Sequence, residues 1–256
     1  MSLDAHAPSR DPTGQKAVAA RCAAQAAPFV GRAHELQRLR EAFEGAASGR
    51  GALVTLVGEP GIGKTALCRQ VASYASASGG QSLIGHCYEE GAFRPPYQPF
   101  VEAFGSYVQQ SDLDQIAADL GPAAADLGRI VPSLREQLHV TPPAAGDPEE
   151  DRWRLLQAAT NLLHKVAARQ PLVLVLEDRH DADQGTLDLL LYLARNLDGA
   201  RLLVVGTYRD VEIDRAHPLS AALAELHRTG NVARLHLRGL STLEVLRLLS
   251  ETSLPF

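Results

Sequence analysis

The sequence predicts an α/β fold in which a mostly parallel, five-stranded sheet carries helices on both faces. Three observations predict it. Short apolar runs alternate with helix-period segments along most of the chain, as in doubly wound sheets. One run, Leu172 to Leu176, is apolar at every position, which suits a strand buried on both faces. One strand-to-helix junction, after Val57, is rich in glycine.

The elements follow in order. Met1 to Pro28 is rich in Ala, Pro, Ser and charge without periodic large apolar residues, and is expected to be a flexible leader. From Ala33, the residues Leu36, Leu39, Phe43 and Ala46 line one helical face, and Gly49 and Gly51 end that helix. Strand Leu53 to Val57 leads through the glycine-rich turn into a helix with Leu67, Val71, Tyr74 and Ala75 as its buried stripe, stopped by Gly79-Gly80. Strand Ser82 to Tyr88 precedes a loop with Pro95, Pro96 and Pro99, then helical segments to about His139.

Thr141 to Gly146 reads as a linker. Asp147, Pro148 and Glu150 open a helix, because Asp caps free N–H groups, Pro suits the first turn and Glu150 holds the capping-box position; Trp153, Leu156, Leu163 and Val166 are expected to face inward. Strand Leu172 to Leu176, a helix from about Thr186, strand Leu202 to Gly206, a helix from about Leu219 and strand Ala233 to Leu237 complete the alternation. Ser241-Thr242-Leu243-Glu244 is a second capping box, opening a helix cut short by the end of the sequence.

Composition removes several classes of function. The formal net charge of −5 lacks the concentrated Lys and Arg footprint of phosphate-backbone binding, so no direct nucleic-acid contact is expected. Cys22, Cys68 and Cys87 are odd in number and lack a CxxC pair, as expected of reduced thiols in a cytoplasmic protein. Apolar runs fall far short of the roughly 18 residues of a membrane span, and the leader lacks a secretory pattern.

The chemistry concentrates in Gly58-Glu59-Pro60-Gly61-Ile62-Gly63-Lys64-Thr65, a full GxxxxGK[ST] match between an expected strand and an expected helix. Its glycines let backbone N–H groups curl around phosphates, Lys64 adds positive charge, and the Thr65 hydroxyl suits Mg²⁺. The fold sharpens accordingly to a three-layer α/β/α sandwich of the P-loop NTPase type. Hydrolysis also needs an acid for the metal and a group that orients water. Strand Leu172 to Leu176 ends in Glu177-Asp178, so Glu177 is expected to hold Mg²⁺ with Thr65 and Asp178 to polarise the attacking water, although Asp178 can also serve the metal and the two roles can exchange. His180, Asp181 and Asp183 lie close behind and admit a metal-cluster reading, which Mg·ATP chemistry makes unnecessary. Arg209, past the strand ending at Gly206, is a candidate γ-phosphate sensor. Cys68 reads as core and Pro95 to Pro99 as a rigid connection.

These residues resemble the STAND class of signal-transduction ATPases, in the branch attached to bacterial LuxR-type regulators, nucleotide cyclases and kinases. The resemblance rests on Phe29-Val30-Gly31-Arg32 with Glu35-Leu36, the P-loop, Gly85 to Glu90 running to Pro99-Phe100, Leu176-Glu177-Asp178 with His180 and Asp183, and Gly206 to Asp210. It implies that the P-loop strand neighbours the Arg209 strand with the Glu177 strand beyond, that Val30, Gly31 and Arg32 lie near the adenine, and that Arg209 senses nucleotide state. Relatives often carry a hydrophobic residue where Arg179 stands and Trp where Asp181 stands. They continue into a helical lid, a winged-helix module and repeats or effectors.

The resulting expectation is a leader at 1–28, an ATPase domain at 29–240 and the start of a truncated lid at 241–256. The domain would bind ATP or ADP with Mg²⁺, hydrolyse ATP slowly and switch a bacterial signalling or transcription-regulatory protein, with lid and effector modules and ATP-dependent self-association as its partnerships. The rivals are a DNA-loading or remodelling AAA-type ATPase and a nucleotide-binding module without turnover.

Overall fold

A computed structural model describes residues 29–88, 96–209 and 218–252. The leader at 1–28, the loop residues Glu89, Glu90 and Pro95, and Asp210 lie outside them. The chain divides into a main unit, Arg32–Gly239, and a terminal unit made of Met1–Gly31 and Leu240–Phe256.

The main unit begins with α1 (Ala33–Ala47), β1 (Ala52–Val57), α2 (Lys64–Ala77) and β2 (Gln81–His86). A helical excursion follows, α3 (Gln98–Gln110), α4 (Leu113–Leu120), α5 (Ala124–Leu127) and α6 (Pro132–Leu138). Then come α7 (Pro148–Arg169), β3 (Leu172–Glu177), α8 (Gln184–Arg195), β4 (Leu202–Tyr208), α9 (Pro218–Leu226) and β5 (Val232–His236). The strands form one five-stranded sheet in the order β2-β3-β4-β1-β5, and every pairing is parallel. The P-loop strand therefore lies beside β4, with β3 beyond, as the resemblance implied.

Parallel neighbours require crossovers, so helices cover both faces and the central strands become apolar throughout. All residues of β3 and β4 are buried. Leu172, Leu174 and Leu176 pack with Phe100, Phe104, Leu163 and Leu190 on one face. The alternate positions Val173, Val175 and Glu177 point to the other face, where α2 packs on β2 and β3. Strand periodicity thus carries Glu177 to the P-loop side.

The stripe of α1 is buried as its spacing predicts. On α2, Tyr74 is only half-buried: its ring meets Phe43 edge-on with centroids 6.0 Å apart, and its hydroxyl donates to Glu44 at 2.7 Å. The Asp147 side chain accepts the N–H groups of Glu149 and Glu150 at 2.9 and 3.1 Å, which starts α7 as expected. Trp153 corrects the inward stripe. Leu156, Leu163 and Val166 are buried, but Trp153 remains 50% exposed. It stands at the start of α7 and lays its ring edge-on against Tyr192 of α8, with centroids 5.1 Å apart.

The edge strand β2 is closed by α3. A Cβ at Gly85 would come 1.8 Å from the Pro99 carbonyl oxygen, so only glycine lets the first turn of α3 lie there. The N–H of His86 points away from β3 and donates to the Glu102 carboxylate at 2.8 Å.

In the terminal unit, α10 (Thr242–Thr252) opens with the expected capping box. Ser241 donates its N–H and hydroxyl to Glu244, each at 2.7 Å. Among the described residues, no helix is long and apolar enough to cross a membrane.

Candidate functional site

Gly58 to Gly63 run between β1 and α2 at the carboxyl end of the sheet, where parallel α/β folds place their ligands. Gly61 and Gly63 adopt φ of +75° and +102°, a region that disfavours side chains, and nothing lies within 4 Å of where a Cβ would stand. The loop is thus open on the side where side chains would stand. Gly58 is constrained differently, because a Cβ there would come 3.0 Å from the Leu237 carbonyl oxygen.

Lys64 is buried, and its Nζ donates to the carbonyl oxygens of Gly58 and Glu59, each at 3.0 Å. Its charge is therefore held beneath the loop that it helps to shape. Arg32, also buried, clamps the same loop by donating to the Ile62 carbonyl at 3.1 Å and pairing with Glu35 at 3.2 Å. Glu59 and Pro60 are exposed at the tip. Val30 and Gly31 belong to the terminal unit, where a Cβ at Gly31 would come 2.6 Å from Glu244 Oε1.

Across the loop, the Thr65 hydroxyl donates to the Glu177 carboxylate. Glu177 is 4% exposed and Thr65 half-buried, so the P-loop helix and the end of β3 share a part-buried hydroxyl-carboxylate pair. Such an oxygen-only donor set suits Mg²⁺. Asp178 follows with φ 55° and ψ 45°, and its N–H donates to the Thr207 hydroxyl at 2.9 Å. Arg209 comes one residue after the Val57–Tyr208 register pair, beside the start of the P-loop. The main unit thus brings together Gly58 to Thr65, Arg32, Glu177, Asp178 and Arg209.

The acids behind β3 divide their work. The Asp183 carboxylate caps α8 by accepting the Thr186 N–H at 3.0 Å and also takes the Tyr97 N–H at 3.1 Å. His180 Nε2 lies 3.3 Å from Asp181 Oδ2. Burial, followed by the Glu177 and Asp178 carboxylates, pushes the Cys68 thiol well above its usual pKa. Burial likewise pushes Cys87 up to about 12 against the pull of Arg179. Neither cysteine is a nucleophile in this state.

Sequence reasoning missed three features. Thr207 anchors Asp178 from the neighbouring strand; it lies in the Gly206 to Asp210 stretch, which gives it no role by itself. His86 and Glu102 pair at 3.0 Å beside a cavity of ≈ 430 Å³ that Thr65 and Glu177 also line. Arg179, 1% exposed, lies along β4 with its guanidinium carbon 5.6 Å from the centre of the Tyr208 ring. Only the pairing of β3 with β4 makes that contact visible.

A parallel sheet with this loop between its inner strand and the following helix, faced by a carboxylate from the second strand over, defines the P-loop ATPase class. Residues 28–205 match the family model described as an AAA ATPase domain, and the chain belongs to that family. It is 28% identical over 221 residues to an uncharacterized protein of Rhizobium meliloti (strain 1021), covering 78% of this chain and 20% of that one. The chain therefore spans about a fifth of that relative's length. Among solved structures, it superposes with a TM-score of 0.50 and 17% identity on a Signal Transduction ATPase with Numerous Domains (STAND) protein with a tetratricopeptide repeat sensor from Pyrococcus horikoshii, over 90% of this chain and 26% of that one. A looser superposition, TM-score 0.45 with 16% identity, relates it to Cdc6p of Pyrobaculum aerophilum over 88% of this chain and 51% of that one. These likenesses concern the fold.

Proposed function

We propose that this chain is the ATP-binding, slowly hydrolysing nucleotide switch of a larger bacterial signalling or transcription-regulatory protein. The observation that carries the proposal is the bond between Thr65 and Glu177, which joins phosphate loop and acidic strand into one oxygen-lined site. In this reading residues 29–240 are the ATPase domain, 241–256 begin a helical lid, and the effector lies in parts of the protein beyond this chain.

The chain's own groups divide the labour. The backbone of Gly58 to Gly63 cradles the phosphates. Lys64 exchanges its two carbonyl partners for phosphate oxygens, and Arg32 keeps the loop in shape from below. Thr65 and Glu177 hold Mg²⁺, which when bound neutralises charge on the phosphates. Asp178, whose N–H meets the Thr207 hydroxyl before nucleotide binds, accepts a hydrogen bond from the attacking water through its carboxylate. Arg209, at the end of β4, meets the terminal phosphate.

Lys64→Ala tests the reading. It removes a phosphate contact without opening an apolar cavity, so the mutant should fold and bind a fluorescent ATP analogue about 100-fold more weakly. Unchanged affinity in the folded mutant would remove the P-loop from the mechanism.

A further inference from the structure

Arg179 is a buried cation whose placement the reading above does not use. It follows Glu177-Asp178 directly and is 1% exposed, among the largest fully buried side chains of the described residues. Its Nε, Nη1 and Nη2 all lack a hydrogen-bond partner among the described residues. Its surroundings are the ring of Tyr208, the thiols of Cys68 and Cys87, and the backbone of Gly206. The fit against Gly206 is close: a Cβ there would come 2.3 Å from Nε and 2.4 Å from Cζ.

A guanidinium carries five donors and stays charged, so burying it without an acceptor is costly, and one stacking contact returns little of that cost. Two other arginines among the described residues are treated otherwise. Arg169 donates to Asp119 and to the Tyr107 hydroxyl, and Arg129 pairs with Asp151 at 2.6 Å. The residue before Arg179 bears a second cost. Asp178 holds a left-handed backbone conformation at φ 55°, which L-residues adopt sparingly. Both costs fall in one turn, at the end of the strand that carries the acidic site. The guanidinium packs on Gly206 of β4, the strand between the P-loop strand and the strand that ends in Glu177. An unpartnered cation stored behind a site built for polyphosphate has an evident acceptor.

We propose that Arg179 is a sensor of the terminal phosphate held in reserve: without nucleotide it lies in the slot formed by Gly206 and Tyr208, and ATP draws it out as Asp178 leaves its left-handed conformation. The inference rests on the nucleotide reading and adds a second phosphate-seeking cation to Arg209. Both costs of the empty turn are released in the same movement. ADP lacks the group that Arg179 seeks and leaves the turn as it is.

The test uses the whole chain and two apolar replacements of comparable length or volume, Arg179→Met and Arg179→Leu. Thermal unfolding without nucleotide and calorimetric titration with Mg·ATP and Mg·ADP are measured for each. Removing an unpaired buried charge should raise Tm by roughly 2–4 °C or more. ATP should bind about tenfold more weakly, while ADP affinity stays within about twofold. A raised Tm with unchanged ATP affinity would overturn the proposal and leave Arg179 a passive filler. Equal loss for ATP and ADP would overturn it too, since the terminal phosphate would not be what Arg179 reads. A lowered Tm, or failure of both variants to fold, would show that the guanidinium is satisfied where it lies. If the unaltered chain binds no ATP at all, the nucleotide reading falls first and this inference with it.

Discussion

Two strand glycines, Gly85 on β2 and Gly206 on β4, occupy sites with no room for a Cβ, yet what closes each site differs. At Gly85 the obstruction is backbone, the Pro99 carbonyl at the start of α3, 1.8 Å from the added carbon. At Gly206 it is the end of one long side chain, that of Arg179. The first is a fixed seam between a strand and a helix. The second is a plug that can be withdrawn. Rigidity at the edge and mobility beside the acids follow from the kind of atom that fills the space.

Substitution should separate the two. Gly85→Ala forces α3 off β2, because neither backbone can turn aside, and should cost about 3 kcal/mol or more in urea unfolding, enough to prevent folding of a marginal domain. A loss under about 1 kcal/mol would mean that the seam yields and the contrast with Gly206 fails.

Between the extremes lies Asp178, in the left-handed turn by its backbone and in the proposed chemistry by its carboxylate. Asp178→Asn keeps the shape and removes the charge, so ATP affinity should hold while single-turnover hydrolysis slows about 100-fold. Loss of binding instead would assign Asp178 to the metal. Full hydrolysis would move the water-orienting role to Glu177 or to another group at the site.

Gly206→Ala should have the smallest effect on stability. The added methyl displaces a guanidinium that has no partner to lose, and alanine recovers about 0.5–1 kcal/mol of backbone entropy, so the net change should stay within about 1 kcal/mol. Denaturant unfolding of this mutant beside Gly85→Ala tests the comparison directly. A cost at Gly206 as large as that at Gly85 would show that Arg179 cannot leave its slot.

How much of this was legible in the sequence depends on the distance over which each feature is encoded. The P-loop is contiguous, so its strand, its turn and the placement of Lys64 and Thr65 could be read locally. Glu177 was legible because an apolar strand ending in acids has few other uses. The order of the strands came from the resemblance alone, since periodicity does not say which strand lies beside which. Arg179 was opaque: its slot is made by Gly206, brought alongside by the β3–β4 register in which Leu176 faces Gly206. Trp153 was misread because a helical stripe gives direction but not reach. The stripe stays buried from Leu155 and Leu156 onward, and Trp153 stands half out of it.

That misplacement has a spectroscopic consequence. Trp153 is the sole tryptophan of the chain, and it stands half in solvent with its ring edge-on to Tyr192. Intrinsic emission therefore reports the seam between α7 and α8, whose residues are not among the phosphate-binding groups. Addition of nucleotide should leave that emission untouched unless the seam itself moves, so a colour shift on ATP but not ADP would be an optical record of a signal travelling through the domain.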